Sequence, residues 1–210
     1  VQSQGIPIDS PSISFKDRNL LYKQCAQYLK GLGVEESCIR KAFEQAEKEE
    51  EEDFRQSVAD YNMQLWQKAR EQHHMVVLLA GRPYHTDMLI QHKISDVLAD
   101  MGIDVITDDI VRNLPETTPH VHFLAQWSYP NRILKAAQWC AEQDSEVQFI
   151  EMTSFGCGPD AFLTDEVRDI LFRRGKTFTL LKLDDISNVG SMKLRIRSLT
   201  ESMKLFHEAE

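Results

Sequence analysis

Residues 154–160, Ser-Phe-Gly-Cys-Gly-Pro-Asp, have the side chains that most clearly suggest chemistry in this sequence. Gly156 and Gly158 flank Cys157, so the backbone there can adopt angles that other residues avoid and can approach a ligand closely. The proline after Gly158 suits the first turn of a helix, whose N-terminus favours a nearby thiolate. Cys157 is therefore a candidate nucleophile or metal ligand. The alternative interpretation is a small residue fitted into a tight turn.

A second segment, Gly-Arg-Pro-Tyr-His at 81–85, contributes further polar candidates. Arg82 and His85 follow a different apolar run, and a Cys/His pair with Cys157 would suggest nucleophilic catalysis. The spacing does not establish that contact, and a hydrogen-bonded structural histidine explains His85 equally well. We assign no catalytic residue. The residues expected to bind a ligand or to support the site are Arg82, His85, Ser154, Gly156, Gly158 and Asp160.

The remaining cysteines and histidines give weaker signals. The other three cysteines stand beside apolar residues on predicted helices and are interpreted as core residues: Cys25, Cys38 and Cys140. No two cysteines form a CxxC pair, which disfavours a disulfide framework or a self-contained zinc site and suits a reducing cytoplasm. The histidine pairs at 73–74 and 120–122 have no third ligand at a suitable spacing.

The elements that must position these side chains are read from the hydrophobic pattern. Four short apolar runs predict strands, at 75–80, 104–107, 147–152 and 177–183, and helical stripes alternate with them. We therefore predict an α/β fold with an open, mostly parallel four-stranded sheet and helices on both faces. Ligands bind beyond the carboxyl ends of such strands, where residues 81–85, Asp108-Asp109 and 154–160 all fall.

The first third of the chain is predicted to be helical and to form a segment separate from the α/β domain. Its second helix is expected to run from about residue 35 to 72, roughly 55 Å at 1.5 Å per residue. Five consecutive acidic residues, 49–53, interrupt its apolar stripe and are interpreted as a solvated face. The predicted domains are 1–74 and 75–210. Residues 108–129 are left unassigned.

Composition narrows the class of protein. The chain has 210 residues, of which 42% are apolar, and its formal net charge is −9, which argues against nucleic acid as a partner. No apolar stretch approaches the roughly 20 residues that span a bilayer, and no signal peptide is recognisable. We expect a cytoplasmic protein without membrane association. The sequence does not begin with Met, and we expect it to be a piece of something larger.

Several motifs, in order, resemble one known family. They are Gly-Arg-Pro-Tyr-His at 81–85, Tyr-Pro-Asn-Arg-Ile-Leu-Lys-Ala-Ala at 129–137 and Ser-Phe-Gly-Cys-Gly-Pro-Asp-Ala at 154–161, continued by residues 164–167, 175–179 and 187–199. The set resembles the C-terminal region of the large CoA-substrate-specific enzyme activase proteins of anaerobes, which are relatives of the 2-hydroxyacyl-CoA dehydratase system. The resemblance covers about residues 75–200, and the helical first third matches less distinctly.

The resemblance implies a redox role. In that family an activator module uses ATP hydrolysis to drive an electron from its iron–sulfur cluster into a dehydratase-like component, whose α/β domains bind [4Fe–4S] clusters through cysteines. Carried over, Cys157 would be a cluster ligand supported by Arg82, His85 and Asp160. The ATPase module's phosphate-binding loops are absent from this sequence, so ATP hydrolysis is not expected.

The resemblance also bears on cofactors and partners. A cubane cluster takes several thiolates, so we expect a [4Fe–4S] cluster at most in a full-length protein and none in this chain alone. The expected partners are upstream domains of the same polypeptide, together with an acyl-CoA or an electron-transfer partner. Two alternatives stay open. One is a module that binds an anion such as a nucleotide or CoA phosphate, and the other is a docking domain without chemistry.

Overall fold

A computed structural model describes residues 9–15, 17–87, 89–114, 127–154, 158–183 and 189–207. The chain divides into two compact units, Val1–Phe54 and Arg55–Glu210. This division falls within the long helix, whereas the predicted boundary between residues 74 and 75 lies at its end. The second unit begins earlier than the sheet because the last part of the helix packs onto it.

In the first unit, helices α1 (Arg18–Gly31) and α2 (Glu36–Lys48) pack against each other and are joined by a short turn. Asp17 begins α1 by accepting a hydrogen bond from the backbone N–H of Leu20 at 2.7 Å. The rings of Tyr22 and Phe43 meet edge to face at 5.1 Å between centroids. This aromatic contact links the facing sides of the two helices.

The long helix predicted over 35–72 is confirmed, as 36 residues of continuous helical backbone. It consists of α2, a π-helical segment Glu49–Gln56, and α3 (Ser57–Glu71). The acidic run 49–53 falls in the π-helical part. An α-helical turn would bring like charges together at i and i+4, and the wider π-helical turn alters that spacing.

The predicted four-stranded parallel sheet is confirmed in the second unit. Its strands are β1 (Val76–Ala80), β2 (Asp104–Thr107), β3 (Val147–Thr153) and β4 (Phe178–Lys182). They run in the order β2-β1-β3-β4 with all neighbours parallel. The two central strands, β1 and β3, are buried along their whole length. The sequence of β1 is wholly apolar, as expected for such a strand, whereas β3 also buries Gln148, Glu151 and Thr153.

Helices cover both faces of this sheet. On one face, α3, α5 (Ser128–Ala141) and α6 (Gly158–Phe172) pack over a core that includes Leu78 and Phe149. On the other, α4 (Ile94–Ala99) and α7 (Val189–His207) pack over a core that includes Leu79 and Ile150. Alternate residues of each strand therefore enter different cores.

Local backbone geometry accounts for the differences from the predicted elements. The apolar spacing of Ile90, Ile94, Val97, Leu98 and Met101 predicts a helix over 90–101. Only the short α4 forms, because His92 and Lys93 adopt left-handed φ angles of 53° and 58° just before it. Residues Asp108–Val111 form a 3₁₀ turn, and α5 begins at Ser128. Between them, 115–126 lie outside the described residues. Within the described part of the chain, none of the helices is long and apolar enough to cross a membrane.

Candidate functional site

The strand order β2-β1-β3-β4 determines where the loops after β1 and β3 run. The chain leaves β1 toward β2 on one side and leaves β3 toward β4 on the other, so the two loops diverge at a topological switch point. Ligands bind at this position in open α/β sheets. We call the edge of the sheet at the carboxyl ends of the strands the carboxyl edge, and the opposite one the amino edge.

His85 lies at this switch point and is fully buried. Its Nδ1 accepts a hydrogen bond from the backbone N–H of Arg82 at 3.0 Å, and its Nε2 lies 2.8 Å from Oγ of Ser154. With Nδ1 accepting from Arg82, the proton of the neutral ring is on Nε2, which faces Ser154; the ring also has a hydrogen bond to the backbone of Met152. Burial, followed by the charge of Arg82, lowers the pKa of His85 to about 4, so the neutral ring persists at neutral pH.

This tautomer decides what His85 can do. In this tautomer Nε2 carries a proton and the Nδ1 lone pair is occupied, so the ring is a hydrogen-bond donor toward Ser154 and not a base. Instead, His85 fixes the orientation of the serine hydroxyl. Gly81 makes room for this arrangement, since a Cβ there would lie 2.6 Å from Nδ1 of His85 and 3.1 Å from the carbonyl oxygen of Met152.

Arg82 makes a second link between the same two loops. Its guanidinium donates to Oδ1 of Asp160 at 2.6 Å, and the two side chains are 21% and 9% exposed. The guanidinium also lies 5.0 Å from the centroid of the Tyr129 ring, near the start of α5. The hydrogen bond to Asp160 raises the pKa of Arg82 against the opposing effect of burial, so the side chain remains a cation.

Both bonds reach the predicted 154–160 segment. Ser154 is its first residue and Asp160 its last, and each is bonded to the loop that follows β1. The structure thus brings together four of the predicted site residues, Arg82, His85, Ser154 and Asp160. The other predicted positions give less information, because Gly156 and Cys157 lie outside the described residues and Gly158 is exposed at the start of α6.

Glu151 adds a buried carboxyl group that the sequence reading did not single out. It lies in β3, is 2% exposed, and its Oε1 accepts a hydrogen bond from the hydroxyl of Thr164 at 3.1 Å. Burial, with a smaller contribution from the charge of Asp160, raises the pKa of Glu151 to about 7. A charged residue inside the apolar run 147–152 was the signal that would have identified it.

The end of β2 contributes a separate ion-pair group. Asp108 is 1% exposed and bonds to Nε of Arg132 at 2.7 Å. Asp109 accepts from Nε of Arg112 and from Oγ1 of Thr107. Burial raises the pKa of Asp108 to about 6. The sequence reading placed both aspartates at a strand end but did not identify their arginine partners.

The donor set at this edge does not by itself fit an iron–sulfur cluster, which takes several thiolates. Cys157 is the one cysteine that the sequence places after β3. The thiol of Cys140 faces the carbonyl of Val147 at 3.8 Å, at the start of β3, and a seven-residue strand is about 20 Å long. Cys25 and Cys38 belong to the first unit. This edge therefore supplies at most one thiolate, and no group of three or more possible metal ligands occurs among the described residues.

Fold and site together define an open, doubly wound α/β domain with a cluster of polar, mutually paired side chains at its switch point. The chain belongs to the family described as the CoA enzyme activase uncharacterised domain (DUF2229), whose model matches residues 1–111. The predicted resemblance to CoA enzyme activase proteins is thereby confirmed. The match includes the helical first third and ends after β2, so the motifs at 129–199 lie beyond it. No curated protein and no solved structure matches the chain.

Proposed function

We propose that this chain is the part of a CoA enzyme activase polypeptide that presents Cys157 as one thiolate ligand of an iron–sulfur redox site. The other ligands would come from outside the second unit, because its carboxyl edge offers one cysteine. The observation that carries the proposal is the pair of hydrogen bonds from the loop after β1 to Ser154 and Asp160.

These two bonds support the proposal because a metal-binding side chain is oriented by neighbouring groups that are themselves held in place. Ser154 and Asp160 are six residues apart and flank Cys157 in sequence. Each is partly or fully buried and tied to a residue more than sixty positions away. Ordering side chains over such sequence distances costs conformational entropy. A segment that only connected β3 to α6 would not need these two hydrogen bonds.

The charge balance favours this role over the binding of an anion. At the carboxyl edge, Arg82 is paired with Asp160, Arg132 with Asp108, and Arg112 with Asp109. A phosphate would have to compete with an aspartate for each of these arginines. A thiolate that binds a metal ion has its charge compensated by that ion, so it does not need an arginine.

The test is anaerobic reconstitution with iron and sulfide of the activase polypeptide that contains this chain. We expect Cys157→Ala to lower the bound iron per polypeptide and to change the visible absorption spectrum. The matched control is Cys38→Ala, which should leave both unchanged. The prediction that Cys38 is a core residue was wrong, because its side chain is exposed. Unaltered iron content and spectrum in Cys157→Ala would overturn the proposal.

A parallel measurement addresses the anion-binding alternative. The melting temperature of the 210-residue chain is measured with and without ATP, ADP and an acyl-CoA. A rise in melting temperature that disappears in Arg82→Gln would favour an anion site at the switch point. Equal melting temperatures with and without these compounds are the result expected here.

A further inference from the structure

Glu151 is a carboxylic acid buried in a central strand of the sheet. It lies between Ala80 of β1 and Leu180 of β4 in the strand register, and it faces the α5 and α6 side of the sheet with Phe149. Thr164 satisfies its Oε1, but Oε2 is buried and has no hydrogen-bond partner among the described residues. A buried oxygen without a partner is costly and requires an explanation.

Asp160, one helical turn before Thr164, also has a buried carboxylate oxygen without a partner among the described residues. Its Oδ1 is bonded to Arg82, whereas its Oδ2 is buried and also has no partner within the described part of the chain. Asp160 and Thr164 are four residues apart on α6, so their side chains lie on the same face of that helix. Since Thr164 contacts Glu151, Asp160 lies on the side of α6 that faces Glu151 as well.

We propose that Glu151 is a neutral carboxylic acid in this fold and donates its Oε2–H to Oδ2 of Asp160. One proton then satisfies both buried oxygens. It also leaves a single negative charge, on Asp160, opposite the guanidinium of Arg82. Two ionised carboxylates would instead share one cation, at a buried position where like charges repel strongly.

The surroundings of Glu151 support a proton there in preference to a metal ion. The groups on α6 that face it are Asp160, whose charge favours the neutral acid, and Thr164 and Arg168, which favour the anion; burial outweighs them. Its neighbours in the adjacent strands, Ala80 and Leu180, are apolar. A divalent cation would lie beside the Arg82 guanidinium already bonded to Asp160.

A shared proton gives the switch point a group that exchanges with solvent protons near neutral pH. Glu151 lies three residues before Ser154, at the end of β3 that leads into the 154–160 segment. The proposal concerns the chain itself and stands whether or not the polypeptide binds iron.

The experiment compares the wild-type chain with Glu151→Gln from pH 5.5 to pH 8.5. A glutamine is a permanent analogue of the neutral acid, because its amide donates to Asp160 and its oxygen accepts from Thr164. The wild-type acid has a raised folded-state pKa, so it contributes stability at low pH and loses it as pH rises through about 7. We expect the melting temperature of the wild type to fall relative to Glu151→Gln by roughly 4–8 °C across this range.

Two results would overturn the proposal. One is a melting-temperature difference between the two proteins that stays constant with pH. The other is a stabilisation of the wild type, but not of Glu151→Gln, by Mg²⁺ or Ca²⁺, which would place a cation between the carboxylates. If the variant fails to fold, ¹³C NMR of labelled glutamate in the wild type decides. We expect one carboxyl carbon that titrates near neutral pH, and titration of every glutamate near the ordinary value of about 4.3 would contradict the proposal.

Discussion

The two edges of the same sheet differ in how their buried ionisable side chains are bonded, although two side chains also meet at the amino edge, where Oγ1 of Thr177 donates to Gln148. At the amino edge, Lys176 is buried, and its ammonium donates to the backbone carbonyls of Asp144 and Val147. The thiol of Cys140 also donates a hydrogen bond to the carbonyl of Val147. At the carboxyl edge, Arg82 and His85 bond instead to side chains, Asp160 and Ser154, on another loop.

The difference separates bonds to the backbone from bonds between side chains. Groups that bond to backbone carbonyls satisfy the ends of strands and turns, which every fold must do. Side chains that bond to one another across loops must be specified residue by residue. Two of the four buried side-chain atoms without a partner among the described residues also lie at the carboxyl edge.

The largest effect is expected from Arg82→Ala. The change leaves the carboxylate of Asp160, which is 9% exposed, without its cation. Removing one partner of such a buried pair should cost roughly 3 kcal/mol of unfolding free energy. Urea denaturation of the 210-residue chain measures it.

The control for this change is Arg173→Ala. Arg173 is 60% exposed and is paired with Asp169, which lies one turn earlier in α6. Surface pairs of this kind contribute less than about 1 kcal/mol. Equal losses in the two variants would show that the contact between Arg82 and Asp160 is no different from a surface pair.

A smaller loss is expected from Gly81→Ala. The new Cβ would lie 2.6 Å from Nδ1 of His85, so the imidazole must move and its bond to Ser154 is disturbed. Overpacking of this kind costs about 1–3 kcal/mol. Gly158→Ala is the matched control, because a Cβ there meets nothing within 4 Å among the described residues. The free energies of unfolding of both variants provide the comparison, and a harmless Gly81→Ala would contradict the close packing of His85.

The pH dependence due to His85 has the opposite sign to that of Glu151. The unfolded chain binds a proton at His85 near pH 6.5, whereas the folded chain resists it down to about pH 4. Stability should therefore fall as pH drops through this window, by about 2 kcal/mol between pH 7 and pH 4.5. In His85→Gln, whose amide can keep both hydrogen bonds, that part of the loss should vanish. Identical acid sensitivity of the two proteins would exclude His85 as its source.

Most of the fold was predictable because hydrophobic periodicity is a local property. The runs at 75–80 and 104–107 became β1 and β2 within a residue, and the long helix ended where expected. The start of α4 was missed because left-handed φ angles at His92 and Lys93 leave no mark on apolar spacing. The packing of α3 onto the sheet was also missed, since it depends on long-range contacts such as Thr107 N–H to Asn62 at 2.7 Å.

The site was predictable in position but not in connectivity. Strand-end placement identified Arg82, His85, Ser154 and Asp160, because all parallel strands end at the same edge. Which side chains bond to which depends on strand order, and β1 lies beside β3 instead of at the end of the sheet. Glu151 was taken as part of a strand, and its role depends on the helix that covers it.

The most direct test of the contrast between the two edges is the reactivity of the thiols in the folded 210-residue chain. Burial raises the pKa of Cys140 to about 12, so iodoacetamide at pH 7 should modify it only after unfolding. Mass spectrometry of timed samples then compares Cys157 with Cys38, which is exposed. The account predicts that Cys157 is modified several times faster than Cys38. A Cys157 that reacts no faster than Cys38, or that is protected like Cys140, would contradict it.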